Sequence, residues 1–180
     1  MAKLIEKTYA DALFEVAVEG NQLESLKEEI LFVLDAFKAY PDFYQLYNTP
    51  QISKDEKKKI IEETFKEKIS TEMMNFLKIL IDKRRTMYFE GIAKLFKKLA
   101  NDHNNMIEGT VTTAVPLKDE EKLMLENKLS ITIGKKVQLK NIVDPSIIGG
   151  ALVKVGDKVI DGTIQSRLDT MKKDLAQILV

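Results

Sequence analysis

With 180 residues, 44% of them hydrophobic, the chain can bury one large core or two small ones. Its 28 basic and 28 acidic residues balance, and this neutrality provides no field strong enough to attract nucleic acid or anionic lipid. Cysteine is absent, which excludes disulfides, thiolate metal sites and cysteine nucleophiles.

The N-terminal sequence MAKLIEKTYADALF carries charged residues throughout, so we expect no signal peptide. Apolar clusters such as FLKILI at 76–81 are far shorter than the roughly 20 residues that span a bilayer. We therefore expect the protein to associate with membranes only through partner proteins.

The first hundred residues predict six helices in close succession, because apolar residues recur with helical spacing and prolines fall between the periodic segments. Ser53 and Glu56 have the spacing of a capping box, which predicts the start of the fourth helix. Short connections between these helices predict an antiparallel bundle. The predicted helices are 3–19, 22–39, a short one after Pro41, 53 to about 67, 71–84 and 87–103.

The pattern changes after residue 105, where β-branched and alternating segments predict strands. We predict a mainly α protein with two domains, a six-helix bundle at 1–105 and a small α/β domain at 106–180. The predicted elements of the second domain are a strand within 106–117, a helix at 119–131, a strand at 135–143, a hairpin with its turn at Gly156–Asp157, and a helix at 163–178.

Glycines are dense before the last predicted helix, as in loops that bind phosphate, but neither G-x-x-x-x-G-K-[ST] nor G-x-G-x-x-G occurs. Gly149 and Gly150 lead into a strand, and Gly156 suits a hairpin turn because glycine adopts positive φ at little cost. Either Asp161 or Thr163 is expected to cap the last helix. We therefore expect these glycines to set backbone geometry, and we predict no cofactor.

Catalytic constellations are not evident in the sequence. The single histidine, His103, lies in the polar run NDHNNM without a second ligand at metal-binding spacing, so we predict neither a metal site nor a catalytic base. Adjacent carboxylates such as Glu28 and Glu29 are expected on solvated helix faces. The sequence gives no argument for an enzyme.

Two basic clusters, KDEKKK at 54–59 and DKRR at 82–85, could contact phosphate groups. Both are interleaved with acidic residues and lack an aromatic stacking platform. Solvated helix faces, and a helix C-terminus that favours cations, are therefore the preferred interpretation.

Two predicted helices carry more apolar residues than one core-facing stripe needs. In the first helix we expect a core stripe and a second apolar line beside it, whose small residues would admit another helix. The stripe comprises Ile5, Tyr9, Ala12, Leu13 and Val16, and the second line Ala10, Phe14 and Ala17. The fifth helix is apolar around most of its circumference. It is either central in the bundle or lines a groove for an amphipathic partner helix.

Three segments resemble the delta subunit of bacterial F-type ATP synthase, whose mitochondrial counterpart is the oligomycin-sensitivity-conferring protein. The likeness covers the whole chain in order and length. The third segment is the most specific, because its Ile-Gly-Gly, Gly-Asp and Asp-Gly-Thr elements occur together at the family spacing. The segments are YADALFEVA at 9–17, NFLKILIDKRR at 75–85 and VDPSIIGGALVKVGDKVIDGTIQSRLDTM at 143–171.

The resemblance implies a non-catalytic peripheral-stalk subunit, or stator, at the cytoplasmic face of the bacterial membrane. It would link the alpha3-beta3 catalytic head to the membrane-anchored b subunits, so that rotation is coupled to ATP synthesis. In that family the N-terminal bundle binds the N-terminal helix of an alpha subunit, and the C-terminal domain contacts the b subunits. Neither a nucleic acid nor a small-molecule substrate is implied.

The resemblance also implies site residues. In the family the groove for the alpha-subunit helix lies between the first and fifth helices, which carries over to Tyr9, Ala10, Leu13, Phe14, Ala17, Phe76, Leu77 and Leu80. The family signature matches Gly149, Gly150, Asp161, Gly162 and Arg167, which we expect to shape the second domain. On the last helix, Leu168, Met171 and Leu175 are either partner contacts or core.

A competing hypothesis is a nucleic-acid or ribosome-associated helical adaptor. Such a protein would bind RNA with a steep salt dependence, because it would release counterions from the phosphate backbone. The balanced charge of the chain argues against this alternative.

Overall fold

The computed structural model of the protein describes residues 2–178, with side chains described as far as residue 173. The chain forms two compact units, one ending at Ala100 and one beginning at Asn101. The mainly α architecture, with six helices followed by a small α/β part, is confirmed. No helix among the described residues is long and apolar enough to cross a membrane.

The first unit is built from helices alone. Its helices are α1 (Ala2–Glu19), α2 (Leu23–Ala39), α3 (Pro41–Asn48), α4 (Lys54–Phe65), α5 (Thr71–Asp82) and α6 (Phe89–His103), with a 3-10 turn at Thr86–Tyr88. The last residues of α6 belong to the second unit.

Aromatic side chains fill much of the core of the first unit. Phe37 lies at the centre of this cluster, with ring centroids between 5.1 and 6.3 Å from those of its neighbours Phe43, Tyr44, Tyr47, Phe65 and Phe89. The Tyr47 hydroxyl donates to the Leu77 carbonyl at 3.2 Å, which ties α3 to α5. Burial of the phenol raises the pKa of Tyr47 far above its ordinary value, so this group stays a donor.

Side-chain caps fix the start of two helices in the first unit. The predicted capping box is confirmed: the Ser53 Oγ accepts from the Glu56 N–H, and the Glu56 carboxylate accepts from the Ser53 N–H at 3.1 Å. The Ser53 hydroxyl, which donates to the Glu56 carboxylate at 2.8 Å, and then the Ser53 N–H stabilise the ionised form and lower the pKa of Glu56. At α5, the Ser70 Oγ accepts from the Met73 N–H at 3.2 Å.

Glu29 does not lie on a merely solvated face, contrary to prediction. Its carboxylate accepts from the Ser70 N–H at 3.0 Å and from the Ser70 hydroxyl at 2.6 Å. This half-buried group of α2 therefore holds the residue that caps α5. The link positions α5 against α2, which sequence spacing does not reveal because the partners are far apart in the chain.

The second unit is a four-stranded sheet with a crossover helix. Its elements are β1 (Met106–Thr113), α7 (Asp119–Ile133), β2 (Lys136–Val143), β3 (Ala151–Val155), β4 (Lys158–Asp161) and α8 (Ile164–Ile178). The strand order is β2-β1-β3-β4, with β1 parallel to β2 and the other pairs antiparallel. Apolar residues on one face form the core with α7, including Val111, Leu129, Val137, Leu139, Val153 and Val155.

Gly150 lies where the chain before β3 passes the chain after β4. Its φ of +83° is in the left-handed region that favours glycine. A Cβ at this position would overlap the backbone carbonyl oxygen of Gly162. The close approach brings the two backbone segments together, since the Gly162 N–H donates to the Ala151 carbonyl at 3.0 Å and the Ile164 N–H donates to the Gly149 carbonyl at 3.0 Å.

Replacing Ser70 with alanine should destabilise the first unit by about 1 kcal/mol or more, because α5 loses its side-chain N-cap and Glu29 loses the hydroxyl donor while keeping the Ser70 N–H. Every tyrosine and phenylalanine lies before residue 100 and the chain has no tryptophan, so near-ultraviolet circular dichroism during urea unfolding follows this unit alone. Thr64→Ala is the matched control, because the Thr64 hydroxyl donates only within α4, to Ile60. Equal midpoints for the two variants would contradict the role of Ser70.

Gly150→Ala should destabilise the second unit far more than Gly134→Ala. Both glycines have positive φ, but a Cβ at Gly134 meets no atom within 4 Å, so that substitution costs only about 1 kcal/mol of backbone strain. Hydrogen exchange of the β1 and β3 amides in the full chain measures the difference. Similar protection in both variants would show that the contact with Gly162 does not constrain the fold.

Candidate partner-binding surfaces

Helices α1 and α5 meet through an aromatic contact. The rings of Tyr9 and Phe76 pack edge to face, with centroids 6.4 Å apart. Tyr9 is half-buried and Phe76 is buried, so the contact lies at the margin of the core and not at its centre. The surface next to this pair is therefore formed by both helices.

Most of the residues predicted to line the groove belong to the core. Tyr9 and Phe14 are half-buried. The other six are buried in the first unit, namely Ala10, Leu13, Ala17, Phe76, Leu77 and Leu80. In this structure these six side chains lie beneath the surface.

The predicted core stripe of the first helix was wrong in part. Ala12 and Val16 were expected to be inward, but both are exposed, and Val16 retains 48% of its accessible surface. The small residues Ala10 and Ala17 instead face the interior, where they allow close packing within the bundle. The apolar arc of α1 is wide enough that helical spacing alone does not show which part of it faces inward.

Helix α5 is largely central but leaves one apolar residue uncovered. Five of its apolar side chains are buried, whereas Ile79 is 47% exposed. On the helical wheel Ile79 lies beside Phe76, on the side away from the core. Its neighbours one turn away, Asn75 and Lys83, are polar, and this was the sequence signal that could have identified Ile79 as a surface residue.

Exposed apolar residues therefore lie on the same side of α1 as Tyr9 and on the same side of α5 as Phe76. On α1, Ala12 and Val16 lie on the same side of the helix as Tyr9, and on α5 the exposed residue is Ile79. We call these three residues the α1/α5 surface.

The second unit exposes an apolar stripe on α8. Ile164, Leu168 and Met171 recur at helical spacing on one side, with exposed fractions of 45%, 46% and 62%. Within the described side chains, Leu168 and Met171 are thus surface residues and not core. The side chain of Leu175 lies outside the described residues.

The signature residues surround the start of α8. The Asp161 carboxylate accepts from the Thr163 N–H at 2.9 Å, and this hydrogen bond lowers the pKa of Asp161. The Thr163 hydroxyl accepts from the Ser166 N–H at 3.2 Å, so Thr163 is the N-cap and Asp161 forms the preceding turn. Gly149, Gly150 and Gly162 provide the backbone crossing described above, while Arg167 is exposed on α8.

The α1/α5 surface and the stripe on α8 consist of apolar residues, which supply no catalytic groups. His103 is exposed at the end of α6. In the part of the chain that the structure describes, no three His, Cys, Asp or Glu side chains converge in a way that would hold a metal ion.

Known proteins match the chain over its length. Residues 5–175 match the family described as ATP synthase delta (OSCP) subunit. The ATP synthase subunit delta of Alkaliphilus metalliredigens is 47% identical over 180 residues, with 100% of both chains covered. That of Clostridioides difficile is 40% identical over 180 residues, with 99% of each chain covered.

A solved structure shares the fold. A chain in the cryo-EM structure of the Toxoplasma gondii mitochondrial ATP synthase hexamer matches with a TM-score of 0.66 and 21% identity, covering 95% of this chain and 97% of that chain. This likeness concerns the fold alone, whereas the sequence relatives establish the family. The chain belongs to the ATP synthase delta (OSCP) subunit family, and it is a non-catalytic component of the peripheral stalk of F-type ATP synthase.

Proposed function

We propose that this chain links the alpha3-beta3 catalytic head to the membrane-anchored b subunits, with the region 1–105 on the head and the region 106–180 on the stalk. The observation that carries the proposal is the α1/α5 surface, where two helices expose apolar side chains beside a shared aromatic contact. Such a surface suits an amphipathic helix that lays its apolar face between them.

The partner proposed for this surface is the N-terminal helix of an ATP synthase alpha subunit. Buried Ala10, Leu13 and Leu80 would support the surface from below, while exposed Val16 and Ile79 would touch the partner. Because the exposed residues are apolar, their contact would depend on burial of surface more than on ion pairs.

The partner proposed for the second unit is the end of the b subunits. The stripe of Ile164, Leu168 and Met171 on α8 gives a helix of this partner an apolar line to pack against. The signature residues cap and position α8 at its start, so they would act by holding the stripe in place.

The mechanism of such a link is mechanical. Torque from the rotating shaft acts on the catalytic head, and a static connection stops the head from turning with it. The protein would thus be peripheral, at the cytoplasmic face of the bacterial membrane, and would reach the membrane only through the b subunits. The surfaces that support the proposal are apolar, which gives no support to the nucleic-acid adaptor considered from the sequence.

Val16→Asp and Ile79→Asp should each weaken binding of a peptide copying the N-terminus of the organism's alpha subunit by about tenfold or more, because a carboxylate would be buried without a partner. Titration calorimetry with the full chain measures the affinity, and near-ultraviolet circular dichroism checks the fold. Val18→Asp is the control, since Val18 is 40% exposed on the opposite side of α1. Equal loss in all three variants would exclude this surface.

Met171→Asp should weaken binding of the soluble C-terminal part of the b subunits, because it places a charge in the apolar stripe of α8. Thr170→Asp introduces the same charge on another side of the helix and should bind normally, as Thr170 is exposed outside the stripe. Binding that is unchanged in Met171→Asp would remove α8 from the interface.

A further inference from the structure

A cationic cavity lies in the first unit, where the start of α4 meets the end of α5. It has a volume of about 340 Å³, at the small end of the range for ligand sites. Three cationic side chains line it, and no acidic residue does. Its polar lining consists of Asn48, Ser53, Lys54, Lys57, Arg84 and Thr86.

The cavity joins the two basic clusters that sequence spacing assigned to separate solvated faces. Lys54 and Lys57 belong to the first cluster, and Arg84 belongs to the second. Helix α4 packs along α5, and the Lys58 Nζ contacts the Asp82 carboxylate at 2.6 Å across this pair. This packing brings the N-terminal turn of α4 next to the residues that follow α5.

Lys57 is the most unusual residue of the cavity. It is only 8% exposed, yet its ammonium group makes no hydrogen bond or ion pair within the described part of the chain. Loss of water and the neighbouring Arg84 charge both lower the pKa of Lys57. Because Lys57 lines the cavity without a partner for its charge in the described structure, an anion bound there would compensate the partial loss of hydration of its ammonium group.

Asp82, the acidic residue nearest in sequence to Arg84, pairs with a lysine outside the cavity lining. Asp82 pairs with Lys58, and its backbone carbonyl accepts from the Lys54 Nζ at 2.7 Å. Lys54 is thus held beside the cavity, while the charges of Lys57 and Arg84 are not neutralised by Asp82. The cavity therefore has an excess of positive charge to offer a ligand.

Asn48 supplies a second uncompensated group. Its Nδ2 donates to the Tyr44 carbonyl at 2.9 Å, but its buried Oδ1 accepts from no donor in the described residues. A singly protonated phosphate group presents acceptor oxygens for lysine and arginine together with one hydroxyl donor. The several acceptor oxygens match the lysine and arginine side chains that line the cavity.

From the three cationic side chains of the lining and the Lys57 ammonium that has no partner among the described residues, we infer that this cavity binds a phosphate group, either as inorganic phosphate or as a small phosphate monoester. The Lys57 and Arg84 side chains hold the phosphate oxygens. The site shares none of its lining residues with the α1/α5 surface, so it does not depend on the proposed binding of the alpha subunit.

Arg84 provides a substitution that separates binding from folding. It has a φ of +54° in the turn that ends α5, where its N–H donates to the Ile81 carbonyl at 3.1 Å. A glycine adopts this conformation more easily, so Arg84→Gly removes the cation and relieves the backbone strain together. The variant should unfold at the same or a higher urea concentration while binding phosphate poorly.

The test is a nuclear magnetic resonance titration of the ¹⁵N-labelled full chain at constant ionic strength, with sodium chloride replaced stepwise by inorganic phosphate or by glycerol 3-phosphate. Saturable shifts are expected for the amides of residues 53–57 and 84–87. Lys57→Met and Arg84→Gly should each weaken binding by about tenfold or more. Lys59→Met, which removes the same charge from an exposed site on α4, should leave it unchanged.

The two ligands identify the source of the phosphate group. Saturation by inorganic phosphate alone assigns the cavity to the free ion, and tighter binding of the monoester assigns it to an organic phosphate. The inference is overturned if neither ligand shifts these amides, or if Lys59→Met weakens binding as much as Lys57→Met. Loss of alpha-peptide binding without loss of phosphate binding would count against the proposed function only.

Discussion

The first unit depends on how α1 and α5 divide their apolar surface between the core and the outside. Ala10, Leu13 and Ala17 allow α1 to approach the bundle closely, and the Tyr9–Phe76 contact closes the edge between the two helices. A helix that buried its whole apolar arc would leave nothing for a partner, whereas one that exposed it would aggregate. The structure lies between these limits, since a few apolar side chains on α1 and only Ile79 on α5 stay exposed.

The second unit also divides its apolar surface between the core and the outside, but with different elements. There α7 covers one face of the sheet, while α8 begins at a tightly capped turn and keeps Leu168 and Met171 exposed. A structural link needs well-positioned helices more than it needs reactive groups. The side-chain caps at Ser70 and Thr163 serve that need, because each sets the first turn of a helix that carries an exposed apolar residue.

Much of this could be predicted from the sequence. The two-part fold class, the family and its non-catalytic role are confirmed, and the capping box at Ser53 was read directly from local spacing. The inward side of α1 was assigned wrongly at Val16, because a wide apolar arc has no unique centre. Glu29 and the cavity at Lys57 were missed because each depends on packing between helices distant in the chain, which periodicity within one helix does not encode.

The cavity and the α1/α5 surface share α5 without sharing a residue. Phe76 and Ile79 lie along the body of this helix, whereas Arg84 follows its end. Both proposed ligands require the folded first unit, so each would stabilise it by RT ln(1 + L/Kd), where L is its free concentration. If phosphate also changed the affinity for the alpha-subunit helix, the alpha-subunit helix would change the affinity for phosphate by the same factor. Such coupling could run along α5 itself, because Ile81 of this helix lines the cavity and Ile79 belongs to the α1/α5 surface. The Lys58–Asp82 and Lys78–Glu62 pairs hold α5 to α4, so substitutions at these pairs would test whether the α4–α5 packing contributes to the coupling.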